Sequence, residues 1–446
     1  MTTTLRPAEA PPTGRIGLLL GSSLYVSAVL GTGILLLPTL AARVAGPASL
    51  LAVVGVLAMS VPLAATFAAL ATRHPDSGGV ATYVRLALGP TAARACGYWF
   101  FFGVCVGCPV VALVGAQYVV AMLGGSQPEV YVVGALFLLP PLLTNAVGLR
   151  LAGPVQLVLT GSLVVLVVLV VVAALPSSDP AALTPFLTHG WSGVGAAASL
   201  FVWAFAGWEA VTHLAGEFRD PRRTIPRATA VALVVVGLAY LALQYVAVTA
   251  LPDSTSPVPL MDLVETGLPG AGRIAVAVVA GIVTLGVLGA YVGAFAKLGA
   301  SLGRDGDLPA WVSRGAQPGG VPRRALVVVA VLASAYFGVV VATGGDLEPF
   351  VLVHTSCMVA VYLLGAAAAV RLLERGSPGW WSGVVACGLA LVLAALAGWH
   401  LVVPVALALV AVGVGLARRV RSRSPRAAAG PSRGPGSIPR SGSAAG

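Results

Sequence analysis

Charge is scarce in this sequence: Asp, Glu, Lys and Arg together supply 9% of its 446 residues, against about 25% in a soluble domain. That shortage, with 58% hydrophobic residues and a mean hydropathy of +0.96, excludes a soluble globular protein with a polar surface. The alternation of apolar and polar residues that marks a barrel strand is missing as well. The apolar runs are therefore helices, the form in which each backbone N–H and C=O finds a partner inside its own segment. Met1 to Gly14 lacks a basic start followed by a short apolar core, so the first apolar run is expected to be retained. Cysteine is sparse too: Cys96, Cys105, Cys108, Cys357 and Cys387 all fall in or beside apolar runs. They read as small buried hydrophobes, with no metal site expected.

What the chain does contain is long apolar runs. Val155 to Leu175 and Ile274 to Ala296 carry no charge, and each exceeds the roughly 20 residues that cross a bilayer. Polar breaks divide the sequence into twelve expected spans: 16–42, 48–72, 95–123, 130–149, 153–175, 195–216, 228–251, 273–297, 324–343, 349–371, 380–397 and 399–417. With the amino terminus cytoplasmic, all of the 26 Lys and Arg residues except Arg43 and Arg273 fall on the cytoplasmic side, while the outer loops hold acids such as Glu129, Asp179 and Asp262. This one-sided distribution accounts for the net charge of +11 without a nucleic-acid partner. Three regions follow: a cytoplasmic segment 1–15, a twelve-helix domain 16–417, and a tail 418–446 of Arg, Ser, Pro and Gly. The tail is expected to be disordered and cytoplasmic, and attracted to anionic lipid headgroups.

Two spans are interrupted. "SAVLGTGILLLP" sets Gly31, Thr32 and Gly33 in the middle of the first, although a glycine in a helix interior costs about 1 kcal/mol relative to alanine. "SLFVWAFAGWEAVTHLAGEF" sets Gly207 in the middle of the sixth, beside Glu209, the one acid placed at membrane depth. Broken helices are tolerated there only where the freed backbone is buried in protein or lines a cavity. The breaks lie five spans apart, an odd number, so repeating halves would have opposite orientations, with a binding site at the midplane. The first break then offers amide donors to an anion.

The blocks "GTGILLLPTLAARVAGP", "FAALATRHPDSGGVATYVRLALG" and "FVWAFAGWEAVTHLAGEFRDPRRTIPRA" resemble the first, second and sixth spans, with following loops, of the amino acid–polyamine–organocation transporters. The likeness covers about residues 16–417 and is greatest to the bacterial inner-membrane exporters of methionine and branched-chain amino acids. It implies an all-helical LeuT-type fold, with spans one to five and six to ten as inverted repeats and spans one and six discontinuous. It also implies that the N–H groups of Gly31, Thr32 and Gly33 hold a substrate carboxylate. The carbonyls of Val29, Trp203 and Ala206 would take the ammonium beside Gly207, and Trp203 and Phe205 would line a side-chain pocket. The implied activity is secondary transport of neutral aliphatic or sulfur-containing amino acids, in the export direction, in a bacterial-type inner membrane. The alternative is uptake or exchange of another small solute, such as a polyamine or nucleobase.

The sequence carries no P-loop, so ATP is not the driver. No cofactor is expected, and H+ and Na+ both stay open as coupling ions. Span five has no lysine, which removes one route to proton coupling used by some relatives. Two roles stay open for Glu209: gating or proton transfer, or acceptance of hydrogen bonds from amides freed in the first span. His213, one turn on, is placed to pair with Glu209 or to face the interface. Tyr83, Tyr98, Trp99 and Trp191 read as an interfacial aromatic belt. A membrane enzyme would need converging catalytic groups, and a sensor an output domain. The chain offers neither, so it is not read as an enzyme.

Overall fold

The computed structural model describes residues 16–423 except 75–78, 149–152, 253 and 316–319, with the side chains of 210, 211, 213 and 419–423 also outside the description. The expected segment 1–15 and the tail beyond 423 thus lie outside the described residues. Helices α1 (Leu18–Leu30), α2 (Gly33–Ala45), α3 (Ser49–Arg73), α4 (Gly79–Leu88), α5 (Pro90–Tyr98), α6 (Gly107–Leu123), α7 (Gln127–Ala146) and α8 (Gly153–Ala174) build the first part. The second part contains α9 (Gly190–Phe205), α10 (Pro221–Ala250), α11 (Pro259–Glu265), α12 (Ala271–Arg304), α13 (Arg323–Ala342), α14 (Glu348–Leu372), α15 (Pro378–Ala397) and α16 (Val402–Arg423). Among the described residues the sole bridge of extended backbone is a parallel one between Ile16 and Phe218.

Proline begins several helices and interrupts none fatally. Pro90, Pro221, Pro259 and Pro378 each stand in the first turn, where a missing N–H costs nothing because that donor has no helical partner. Pro38 lies inside α2, and next to it the side-chain amide of Gln244 donates to the Pro38 carbonyl at 3.0 Å and to Ser49 Oγ at 2.7 Å.

Among the described residues, nine stretches are long and apolar enough to cross a membrane. The expectation of twelve differs for physical reasons. Gly33–Arg73 and Pro378–Arg418 each contain two successive helices, and the 13-residue α1 and 16-residue α9 are shortened by the breaks that end them. Burial ranks the stretches: 89% of the apolar window in Pro90–Leu123 is buried in the bundle, against 11% in Pro378–Arg418. The former is a central pillar, while α15 and α16 pack on the periphery. The last helix also runs on to Arg423, past the boundary expected at 417, since arginine is a good helix former.

Between α5 and α6 the pillar leaves α-helical winding, with one wide turn over Trp99–Gly103 and a tight one over Val104–Val106. Such irregularities free backbone carbonyls. His354 on α14 answers one of them, with Nδ1 3.1 Å from the Val104 carbonyl; since the carbonyl only accepts, Nδ1 carries the proton. Near the amino end, the Ile16 N–H donates to the Glu217 carbonyl at 3.0 Å and the Arg219 N–H donates to the Ile16 carbonyl at 3.1 Å.

Candidate functional site

Both expected breaks are present, and they face each other. The first ends α1 at Gly31, whose φ of 37° lies in the left-handed region and whose N–H donates to the Ser27 carbonyl at 3.1 Å. A side chain at that φ is strained, so glycine is what the turn requires. Thr32 separates Gly31 from Gly33, which opens α2. The amide of Thr32 donates to no acceptor among the described residues. It stands with Gly33 at a helix start, where the leading N–H groups have no partner of their own.

The second break ends α9 at Phe205; Ala206 is extended and Gly207 has φ 145°. A tight turn then leads into a short helix of narrow pitch, Ala210–Glu217. In an unbroken α-helix the Gly207 N–H would donate to the Trp203 carbonyl. It donates instead to Glu209 Oε2 at 3.1 Å and lies 3.3 Å from Tyr362 Oη. The Trp203 carbonyl thereby loses its helical donor, and with Ala206 it belongs to a helix end whose carbonyls point forward unpaired.

The two breaks approach so closely that side chains are excluded. A Cβ added to Gly207 would lie 2.9 Å from the Ala28 carbonyl oxygen, and one added to Gly33 would lie 2.6 Å from Tyr240 Oη and 2.9 Å from the Ala204 Cβ. Val29, Thr32, Trp203, Phe205, Ala206 and Glu209 are all buried. The start of α2, positive by its exposed amides, thus sits against the end of α9, negative by its exposed carbonyls.

Three expectations change in detail. The Gly31 amide is committed to Ser27, which leaves Thr32 and Gly33 as the donors of the first break. Trp203 and Phe205 do not share a pocket: two residues apart on a helix, they point about 200° apart. Trp203 meets the His354 ring edge to face at 6.1 Å, whereas Phe205 packs on Tyr240 at 5.2 Å and borders an apolar cleft with Met59, Tyr362 and Leu389. Glu209 does accept a freed amide, but from its own break rather than from the first, and it also accepts the Tyr362 hydroxyl at 2.9 Å. The pairing considered for His213 lies outside the described residues.

Sequence reasoning missed the tyrosines that hold the breaks in place. Tyr240 on α10 donates to the Leu30 carbonyl at 3.3 Å. Tyr118 on α6 donates to the Leu35 carbonyl at 2.7 Å and accepts the Leu260 amide of α11 at 3.2 Å, tying α2 to α11. His354 was missed as well, although an ionisable residue inside an apolar run such as "VLVHTSCMVAVYLL" is itself a signal. The aromatic belt fails for three of its four members: Tyr83, Tyr98 and Trp99 are buried within the bundle, and Trp191 alone is exposed. Trp99 Nε1 donates to the Pro404 carbonyl at 2.7 Å. Cys96, Cys105, Cys108 and Cys357 are buried free thiols and Cys387 is half-buried. Among the described residues no group of three or more His, Cys, Asp or Glu is placed to hold a metal ion.

The comparisons with known proteins point one way. Residues 16–417 match the family model described as amino acid permease. The uncharacterized amino acid permease YecA of Bacillus subtilis is 30% identical over 394 residues, covering 87% of this chain and 92% of that protein. The L-methionine/branched-chain amino acid exporter YjeH of Escherichia coli is 30% identical over 397 residues, covering 86% and 92%. Among solved structures, MhsT in complex with L-phenylalanine superposes with a TM-score of 0.59 at 16% identity, over 88% of this chain and 100% of that one. At such identity the likeness speaks for the fold alone. It is the LeuT-type fold that the sequence blocks implied.

Proposed function

Because the chain belongs to the amino acid permease family, we propose that it is a secondary transporter that exports neutral aliphatic or sulfur-containing amino acids by alternating access, holding them between its two helix breaks. The family and the relatives are transporters, not enzymes. One observation carries this reading of the substrate site: the Thr32 amide at the start of α2 has no acceptor among the described residues, and the carbonyl end of α9 stands opposite it. A zwitterion fits that pair. Its carboxylate would accept from Thr32 and Gly33, and its ammonium would donate to the carbonyls of Val29, Trp203 and Ala206, with Gly31 and Gly207 making the turns.

A neutral side chain suits the surroundings. Glu209 Oε2 accepts from Gly207 and Tyr362, so in this reading the carboxylate serves the second break rather than a substrate side chain. The name of the YjeH relative and the phenylalanine bound to MhsT both support an apolar amino acid. In this reading the side chain lies against either Trp203 or Phe205, Glu209 holds the second break shut until a proton or a gating motion releases it, and H+ or Na+ supplies the coupling. The protein crosses a bacterial inner membrane twelve times with both termini cytoplasmic, the orientation the arginine distribution favours.

The test is counterflow in proteoliposomes with labelled methionine, leucine and arginine, with and without sodium and pH gradients. Exchange of methionine and leucine but not arginine is expected. Failure of every amino acid to exchange would refute the proposal.

A further inference from the structure

At the end of the bundle where arginines gather, a charged pocket of about 380 Å³ lies between α4, the start of α5, the loop after α12 and the end of α16. Transport as proposed above does not use it. Its polar lining is Arg85, Thr91, Arg94, Asp305, Asp307 and Arg418. The floor is Arg94 with Asp307, both buried: Asp307 Oδ1 accepts Arg94 Nε at 2.6 Å and Arg418 Nη1 at 2.8 Å. The Tyr98 hydroxyl donates to the Asp307 carbonyl at 2.5 Å, and the second arm of Arg94 reaches the Ala411 carbonyl at 3.3 Å. At the mouth, Arg85 Nη2 donates to Asp305 Oδ2 at 2.5 Å. The Arg85 and Arg418 side chains are 45% and 46% exposed there.

The charges do not balance. Three guanidinium groups line the pocket against two carboxylates, and one carboxylate oxygen serves two of the arginines. Each guanidinium has five N–H donors in a planar fork, so donors are left over after these pairs. The buried Arg94 and Asp307 match each other, so the surplus guanidinium charge lies at the half-exposed mouth, where an anion can replace water, and the fork geometry suits phosphate oxygens. The volume holds a phosphate group with several waters, each occupying about 30 Å³. Leu86, next in the chain to Arg85, and Leu416, two residues before Arg418, are exposed at 60% and 57%, and the α15–α16 stretch is the least buried of the apolar segments. The pocket is thus built on segments that face the bilayer, where an anion carried by the lipid is at hand without leaving the membrane.

We infer that this pocket binds the phosphate of an anionic phospholipid, and that the bound headgroup fastens α16 to the corner between α4 and α5. The site is distinct from the breaks and does not depend on which amino acid is carried.

The test measures thermal stability of the full-length protein in phosphatidylcholine nanodiscs titrated with phosphatidylglycerol, with a separate arm adding inorganic phosphate to phosphatidylcholine alone. Arg94→Ala would strand the buried Asp307 and is expected to unfold this corner, so the test rests on the pocket-mouth variants. Arg418→Gln is expected to weaken the apparent phosphatidylglycerol affinity about tenfold. Asp305→Asn, which removes a competing carboxylate, is expected to strengthen it. Arg433→Gln, the same charge change in the tail, should weaken it far less than Arg418→Gln. Equal stabilisation by inorganic phosphate that is lost in Arg418→Gln supports the phosphate site with a soluble source. Equal responses in the wild type and Arg418→Gln, or equal weakening by Arg418→Gln and Arg433→Gln, overturn it.

Discussion

The two helix breaks use the same device and finish it differently. Each places a glycine of positive φ in the middle of an apolar segment. The second break is closed by its own sequence: Glu209, two residues after Gly207, accepts the freed amide, and Tyr362 from α14 joins the same carboxylate oxygen. The first break has no such side chain. Gly31 returns its amide to Ser27, Thr32 donates to nothing among the described residues, and no acid lies in the segment. A buried donor left unmade costs about 1–3 kcal/mol, and a carboxylate brought by a ligand removes that cost. In the proposed function the self-sufficient break serves as a hinge and the incomplete one as the receptor. The difference between them is that one break satisfies its freed amide from its own sequence and the other leaves an amide without an acceptor among the described residues.

The strongest way to break that contrast is to fill the incomplete side. Gly33→Leu drives carbon into Tyr240 and the Ala204 Cβ, so counterflow is expected to fall at least about 100-fold, as for a misplaced reacting geometry. Melting should show only the about 1–3 kcal/mol cost of overpacking. Unchanged counterflow would move the substrate away from the first break.

Next in size is removal of the internal cap. Glu209→Ala leaves the buried Tyr362 hydroxyl without its acceptor and the Gly207 N–H with only its longer bond to Tyr362 Oη, and a loss of about 2 kcal/mol is expected in thermal unfolding. Glu209→Gln keeps an acceptor and should lose about 1 kcal/mol. If Glu209 also carries a proton during transport, the Gln variant exchanges substrate with no dependence on pH. Equal stability of the Ala and Gln variants would show that the second break does not rely on this carboxylate.

A smaller change sharpens the same point. Tyr362→Phe removes one donor from Glu209 while the amide of Gly207 stays paired, so a loss of about 1 kcal/mol with retained counterflow is expected.

The smallest effect comes from the same chemistry placed in water. At the start of α7 Glu129 accepts from the Ser126 amide and hydroxyl, and those bonds hold its carboxyl below the ordinary value of 4.5. Because the folded value is depressed, the stabilisation is complete above 4.5 and is lost as pH falls through the lower folded value. Amide protection in the first turn of α7, taken relative to the intrinsic exchange rate at each pH, should therefore fall below that pH in the wild type. In Glu129→Ala it should be lower throughout and should not change across that range. Overall melting should scarcely move, since this carboxylate is fully exposed to water.

Much of this contrast could be read in the chain. Glycine inside an apolar run has few explanations, so Gly31, Gly33 and Gly207 marked the breaks, and the acid at 209 marked the second as the polar one. Local pattern gave these because the cause is local. What the pattern could not give was any partner far along the chain. The Tyr362 hydroxyl reaches Glu209 across 153 positions and the His354 ring reaches Val104 across 250. Nothing near either residue announces such a contact. Tyr98 and Trp99 misled for a related reason: an aromatic at the end of an apolar run looks alike whether it meets headgroups or, as here, the Asp307 and Pro404 carbonyls. The opposed directions of Trp203 and Phe205 were legible from helical geometry, and the family pattern masked them.

The small bridge between Ile16 and Phe218 joins the segment leading into α1 to the segment leaving the second break. Some two hundred residues apart in the chain, these ends are knotted by two backbone bonds that depend on no side chain and survive any substitution except proline. They couple the tail of one broken span to the tail of the other as oars on one pin: whatever swings α1 away from the bundle must carry the end of the narrow Ala210–Glu217 turn with it or first snap the pin. In alternating access as proposed, an opening stroke that keeps this bridge would therefore be shared by both repeats from its first ångström.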